Sequence, residues 1–181
     1  SGSVASNFTF TVAAINGGGT VNGTTTNVTS TATTIPFGAL ATSGSNIKTS
    51  GHTLTSDHNA EYGFSVILKQ DGNFRSQGKS TLFIPNFNNS TSTPTLWADP
   101  AETINDDSTW GSFGLTTSDQ DILVGSVSFV NGATPRWTGF NTTPNPTVLN
   151  STSSAKATIV GNGLATVGYR VQVSELQGAA N

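Results

Sequence analysis

The chain contains neither cysteine nor methionine, and only 9% of its residues are charged. An ordinary soluble domain carries roughly 25% charged residues. Without cysteine there can be no disulfide framework, no zinc-finger spacing and no thiol nucleophile. The seven basic residues are scattered and the formal net charge is −3, so the electrostatic footprint of a nucleic-acid binder is missing. No apolar run approaches the roughly 18 residues a membrane helix requires, so membrane insertion is not expected. Histidine is scarce as well. Only His52 and His58 are available as neutral-pH bases. No nucleophile motif such as G-x-S-x-G accompanies either, and the chain is read as non-enzymatic, with no cofactor.

Ser, Thr, Asn and Gly occupy the places that charges would take. A surface solvated by neutral hydroxyls and amides suits secreted, wall-associated or fibrous proteins, and little like-charge repulsion opposes close packing of subunits. The opening Ser1-Gly2-Ser3 is what a secreted form trimmed at a small-residue cleavage site would show. The expected location is extracellular, at the cell surface.

Helical periodicity is nearly absent, because Gly, Pro, Asn and β-branched residues interrupt almost every window. Strand patterns run over Phe8–Val12, Thr53–Thr55, Tyr62–Lys69, Ser80–Ile84, Ile122–Val130, Ala155–Val160 and Val167–Val173. Turn residues separate them at Asn16-Gly17-Gly18-Gly19, Asp71-Gly72-Asn73, Asn131-Gly132 and Gly161-Asn162-Gly163. Many short strands with such punctuation predict an all-β fold, a β-sandwich of jelly-roll type. Residues 85–110 read as a loop excursion and 139–154 as a linker-like arm.

The N-terminal segment is where a function can be read. Val4, Phe8, Phe10, Val12 and Ala14 fall on one face of an extended strand, and the run Gly17-Gly18-Gly19 follows closely. Such a strand on a flexible tether is able to leave its own domain and complete the sheet of a neighbour. It is equally able to be an ordinary first strand in its own sheet. On the first reading the chain divides into a donor strand (1–14), a glycine-rich hinge (15–24) and one β-sandwich domain (25–181). After the terminal Val167–Val173 strand the chain turns and stops where another strand is expected, which suits a sheet one strand short.

The stretch Leu54-Thr55-Ser56-Asp57-His58-Asn59-Ala60-Glu61-Tyr62-Gly63-Phe64-Ser65-Val66, with Asp71-Gly72-Asn73-Phe74 and Tyr169-Arg170-Val171-Gln172-Val173, resembles Ser/Thr-rich bacterial and archaeal surface proteins. Their shared shape is a strand, an Asn-Ala-x-x-Gly-aromatic corner and a second strand. In general architecture the chain also resembles biofilm-matrix and bundling-pilus subunits, whose jelly-roll domains polymerise by N-terminal donor-strand exchange. The resemblance implies a donor role for Val4, Phe8, Phe10 and Val12; because such a contact is heterologous and does not close on itself, the expected partner is the chain itself, in a head-to-tail homopolymer. The alternative is a monomeric carbohydrate-binding module or adhesin domain, with Trp97, Trp110 and Trp137 as a stacking platform; the bland reading of those rings is core.

Asp99, Glu102, Asp106, Asp107, Asp119 and Asp121 concentrate the carboxylates, but their spacing matches no EF-hand loop, and they read as a solvated acidic region rather than a metal site. Sequons at Asn7, Asn22, Asn27, Asn88, Asn89, Asn141 and Asn150 permit glycans, although a chain this rich in Ser and Thr generates several by chance.

Overall fold

A computed structural model describes residue 5 and residues 7–42, 46–59, 61–75, 81–87, 93–124, 126–131, 133–140 and 145–177. The chain is all-β as expected, with antiparallel sheets and no α-helix among the described residues. In chain order the strands are β1 (Phe8–Ala14), β2 (Thr20–Val21), β3 (Thr24–Thr25), β4 (Lys48–His58), β5 (Phe64–Ile67), β6 (Phe74–Arg75) and β7 (Phe83–Ile84). A 3₁₀ turn at Asp107–Thr109 precedes β8 (Gly111–Thr117), β9 (Leu123–Val124), β10 (Val127–Ser128), β11 (Val130–Asn131), β12 (Thr134–Pro135), β13 (Thr147–Ser151) and β14 (Leu164–Val173).

The main sheet has the order β1-β4-β14-β8, and the two long strands β4 and β14 form its centre. One face packs on the largest apolar cluster, in which Leu54, Phe113, Leu115, Ala165, Val167 and Val171 of the sheet meet Val148 and Leu149 of β13, Ile122, Phe129 and Phe140. Phe113 stacks on Phe140 with centroids 5.0 Å apart, and Phe74 meets Phe113 edge-on at 4.4 Å. β13 pairs with β5 in a separate two-stranded sheet. The other side of β13 is held by side chains: the Thr117 hydroxyl donates to the Val148 carbonyl, and the Asp119 carboxylate accepts from the Asn150 N–H.

The opposite face of the main sheet is also covered. Gly51 and Gly168 lie directly opposite one another, and Val21, at the end of β2, rests on both. A Cβ at Gly51 would stand 2.5 Å from a Val21 methyl, and one at Gly168 2.7 Å. Beside them Phe87 and Trp97 crowd Gly114, and the Arg170 guanidinium lies 4.2 Å from the Trp137 ring centroid. Burial pulls the Arg170 pKa down to about 10, so the side chain is still a cation at neutral pH.

Several expected boundaries are corrected. The arm at 139–154 contains β13, whose Val148 and Leu149 are fully buried. The excursion at 85–110 supplies Phe87 and Trp97 to the covering layer. The expected strand Ala155–Val160 is a set of turns with isolated bridges only at its two ends, Ala155 to His58 and Val160 to Leu164, because Gly161 and Gly163 close the chain tightly after it. β14 has neighbours on both sides, so the incomplete flank does not adjoin the terminal strand. It lies at β1.

Candidate assembly surface

β1 forms because aromatic and β-branched residues alternate with threonine over Phe8–Val12 without a breaker. It joins β4 antiparallel, with Phe8 opposite His58, Phe10 opposite Ser56, Val12 opposite Leu54 and Ala14 opposite His52. The apolar row therefore shares the core-side face of the sheet, while Thr9, Thr11 and Ala13 point the other way. Thr11 and Thr55 hydroxyls bond across the ladder. At the entry Asn59 acts as a clasp: its Oδ1 accepts from the Asn7 N–H at 2.9 Å, its Nδ2 donates to the Ala5 carbonyl at 2.9 Å, and its own N–H donates to the Asn7 carbonyl at 3.3 Å.

Backbone direction follows from these bonds. Asn7 faces β4, whereas Ser56 and His58 direct their N–H groups away from β1, to the carbonyls of Gly163 and Ala155. The odd residues of β1 thus carry the ladder to β4, and the N–H and C=O groups of Phe8, Phe10, Val12 and Ala14 point outward. No described residue pairs with that outer edge.

Burial falls sharply from β4 to β1. Leu54 is 5% exposed and Ser56 is fully buried, yet their partners Val12 and Phe10 are 36% and 39% exposed, and Phe8 is 58% exposed. The β5–β13 sheet reaches this row at its near end, where Phe64 of β5 meets Phe8 edge-on at 6.1 Å and His58 at 5.0 Å. Opposite Phe10 the Ser56 hydroxyl is buried with no hydrogen-bond partner among the described residues. β5 likewise ends its sheet, with Ile67 exposed. Two sheet edges therefore meet on one flank, with apolar side chains between them only partly covered.

The remaining sequence candidates are distributed as follows. Val4, Asn88, Asn89 and Asn141 lie outside the described residues. The segment expected as a hinge is a packed hairpin: Ile15 exchanges bonds with Ser30, Gly18 and Gly19 bond Thr26, and Val21 is fully buried. The chain is consequently anchored to the body from Ile15 onward. Asn7 and Asn27 are exposed, although Asn27 bridges the Ile47 carbonyl and the Thr49 N–H. Asn22 is turned inward, and both hydrogens of its amide are used, on the Thr116 hydroxyl and the Phe129 carbonyl. Asn150 is half-buried and accepts from Ser65.

Trp137 is fully buried, Trp97 stacks on Phe87 at 4.5 Å and donates to Gln172, and Trp110 donates to the Thr103 carbonyl. The three rings do not form a common exposed platform. His52 and His58 are both buried. His52 Nε2 lies 2.7 Å from the Thr31 carbonyl, and His58 packs against Phe8 and Phe64. The acidic residues do not gather, and no group of three or more metal-ligating side chains converges among the described residues. Asp99 accepts from Gln172, and Asp106 caps the 3₁₀ turn through Ser108.

Asp119, expected to be solvated with the other acids, is the exception. It is fully buried and its two oxygens accept from the N–H groups of Asp121 and Asn150. Desolvation by burial, outweighing those two bonds, raises its pKa above 3.8, with the Asp121 charge adding to the rise. The folded state thus holds this proton more tightly than the unfolded chain. Its contribution to stability is fully present below about pH 3.8 and declines as pH rises through the folded pKa. Urea unfolding from pH 3 to 6 should show the stability difference between wild type and Asp119→Asn shrinking as pH rises; a flat difference would remove Asp119 as the cause.

No protein-family model, curated protein or solved structure matches the chain.

Proposed function

We propose that the chain is the structural, non-enzymatic subunit of an extracellular filament, a jelly-roll-like β-sandwich joined head to tail by donation of β1 to a neighbour. The observation that carries this reading is the state of β1 at home: all seven of its residues are exposed, and Phe8, Phe10 and Val12 stay partly in water on the core side of the sheet. A strand held by one ladder at the margin makes the same bonds to β4 of another copy. On that flank each aromatic ring keeps the sheet neighbours it has at home; covering its remaining surface against the body of the adjoining copy adds about 1 kcal/mol. The low charge removes an electrostatic obstacle to close assembly. Because the contact is heterologous, it propagates into an open filament.

The donor segment spans Val4, Phe8, Phe10, Val12 and Ala14. Deleting residues 1–14 should leave a body that no longer polymerises and that regains stability when a peptide covering 4–14 is supplied. Fibres of the truncated protein under the electron microscope would end the donor-strand reading. Glycans, where present, are compatible with this assembly at Asn7, whose odd position lies off the Phe8, Phe10 and Val12 face.

A further inference from the structure

Among the described residues the outer edge of β1 is unprotected. Edge strands normally carry a lysine, a proline, a bulge or an inward charge that discourages pairing with other chains. Phe8–Ala14 has none of these, and its register with β4 is continuous over all seven residues. The groups left over on that edge are the N–H and C=O of Phe8, Phe10, Val12 and Ala14, as the bonding of Asn7, Ser56 and His58 requires.

We propose that this edge pairs with the same edge of a second copy, as an antiparallel β1–β1 ladder about a two-fold axis through Thr11. The sequence of the strand is self-complementary in that register. Phe8 falls opposite Ala14 of the second copy and Phe10 opposite its Val12, so each ring meets a smaller side chain and the apolar row continues across the axis. All of these are residues with outward backbone groups, which gives four doubly hydrogen-bonded pairs. Thr9 then faces Ala13, and Thr11 faces Thr11, as the non-hydrogen-bonded pairs. A shift by two residues brings Phe8 opposite Val12 with Phe10 against Phe10, or Val12 against Val12, and leaves an end of the strand unpaired. Identical strands also meet without repulsion, because β1 has no charged residue. The edge points outward whether β1 completes its own sheet or another copy's, so this contact stands apart from the filament reading.

The absence of native cysteine makes the test clean. Thr11→Cys protein, oxidised in solution, should form a disulfide-linked dimer, because cross-strand partners at a non-hydrogen-bonded site approach to about 4.5 Å between Cα atoms. Thr9→Cys alone should not, but an equimolar mixture of Thr9→Cys and Ala13→Cys should. Val12→Pro, which removes an outward N–H without touching the β4 ladder, should abolish the wild-type dimer in sedimentation while the circular dichroism spectrum is unchanged. Crosslinking of Thr11→Cys no faster than that of a control cysteine at the exposed Thr33, or a dimer that survives Val12→Pro, would overturn the pairing. If the thiol of Thr11→Cys is captured only by a Thr55→Cys partner molecule, the contact is exchange onto β4: the edge pairing fails while the filament reading gains.

Discussion

Trp137→Ala should lower stability by about 3 to 5 kcal/mol, enough to drop the melting temperature by about 10 °C for a chain of this size. The ring is fully buried, presents its edge to Trp97 at 5.6 Å and lies under the Arg170 guanidinium at 4.2 Å. Removing it opens a cavity and also takes from a half-buried cation the nearer of its two aromatic partners, with Trp97 remaining at 5.3 Å, a loss of at most about 2 kcal/mol where the cation is desolvated. The two effects are separable. Replacing Arg170 with Met in the Trp137→Ala background should recover part of the loss, because a cation left with only Trp97 and the Thr49 hydroxyl goes with it. Strictly additive melting shifts would mean that Arg170 and Trp137 do not act together. Since Trp137 is far from solvent, a loss of sugar binding in such a variant would report unfolding rather than a vacated platform.

The second large effect is expected at the corner between β4 and β5. Gly63 has φ +69°, and a Cβ there would lie 1.9 Å from the Ser151 carbonyl oxygen of β13. Gly63→Ala combines a left-handed backbone penalty of about 1 to 2 kcal/mol with a backbone clash that no rotamer change relieves. The total should reach about 3 to 5 kcal/mol, and the damage should spread to both sides of the corner. On one side β5 would lose its register with β13; on the other, Phe64 would leave His58 and Phe8. Hydrogen exchange should accordingly show faster opening of β1 as well as β5. Protection of β1 unchanged from wild type would break the proposed link between the corner and the N-terminal strand.

That link explains how much of the surface was legible beforehand. The apolar row of β1, its one-sided pattern and the corner Asn59-Ala60-Glu61-Tyr62-Gly63-Phe64 stand out in the sequence, since alternation and glycine placement are local signals. Asn59 as a clasp on Asn7 and Ala5 was not legible, because it joins residues more than fifty positions apart. β8 escaped attention for another reason: its run Gly111–Thr117 is buried on nearly every residue and contains two glycines, so it shows no polar alternation. β13 was hidden inside a Thr/Asn/Pro/Ser-rich stretch whose composition imitates a linker. The three tryptophans and six acids were visible as residue types, but their separation into core rings, a turn cap and a buried carboxylate depends on which chain segment covers which face.

The amino-acid sequence by itself determined that this protein is built of strands, because alternation and β-propensity act over a few residues. It also determined that the N-terminal strand has one apolar side. Tertiary structure alone decided that β1 takes the margin of the β1-β4-β14-β8 sheet, with its core-side row half in water and its outer edge open. The physical reason is that strand order and layer coverage are set by contacts between distant segments, whose free energies no local pattern encodes.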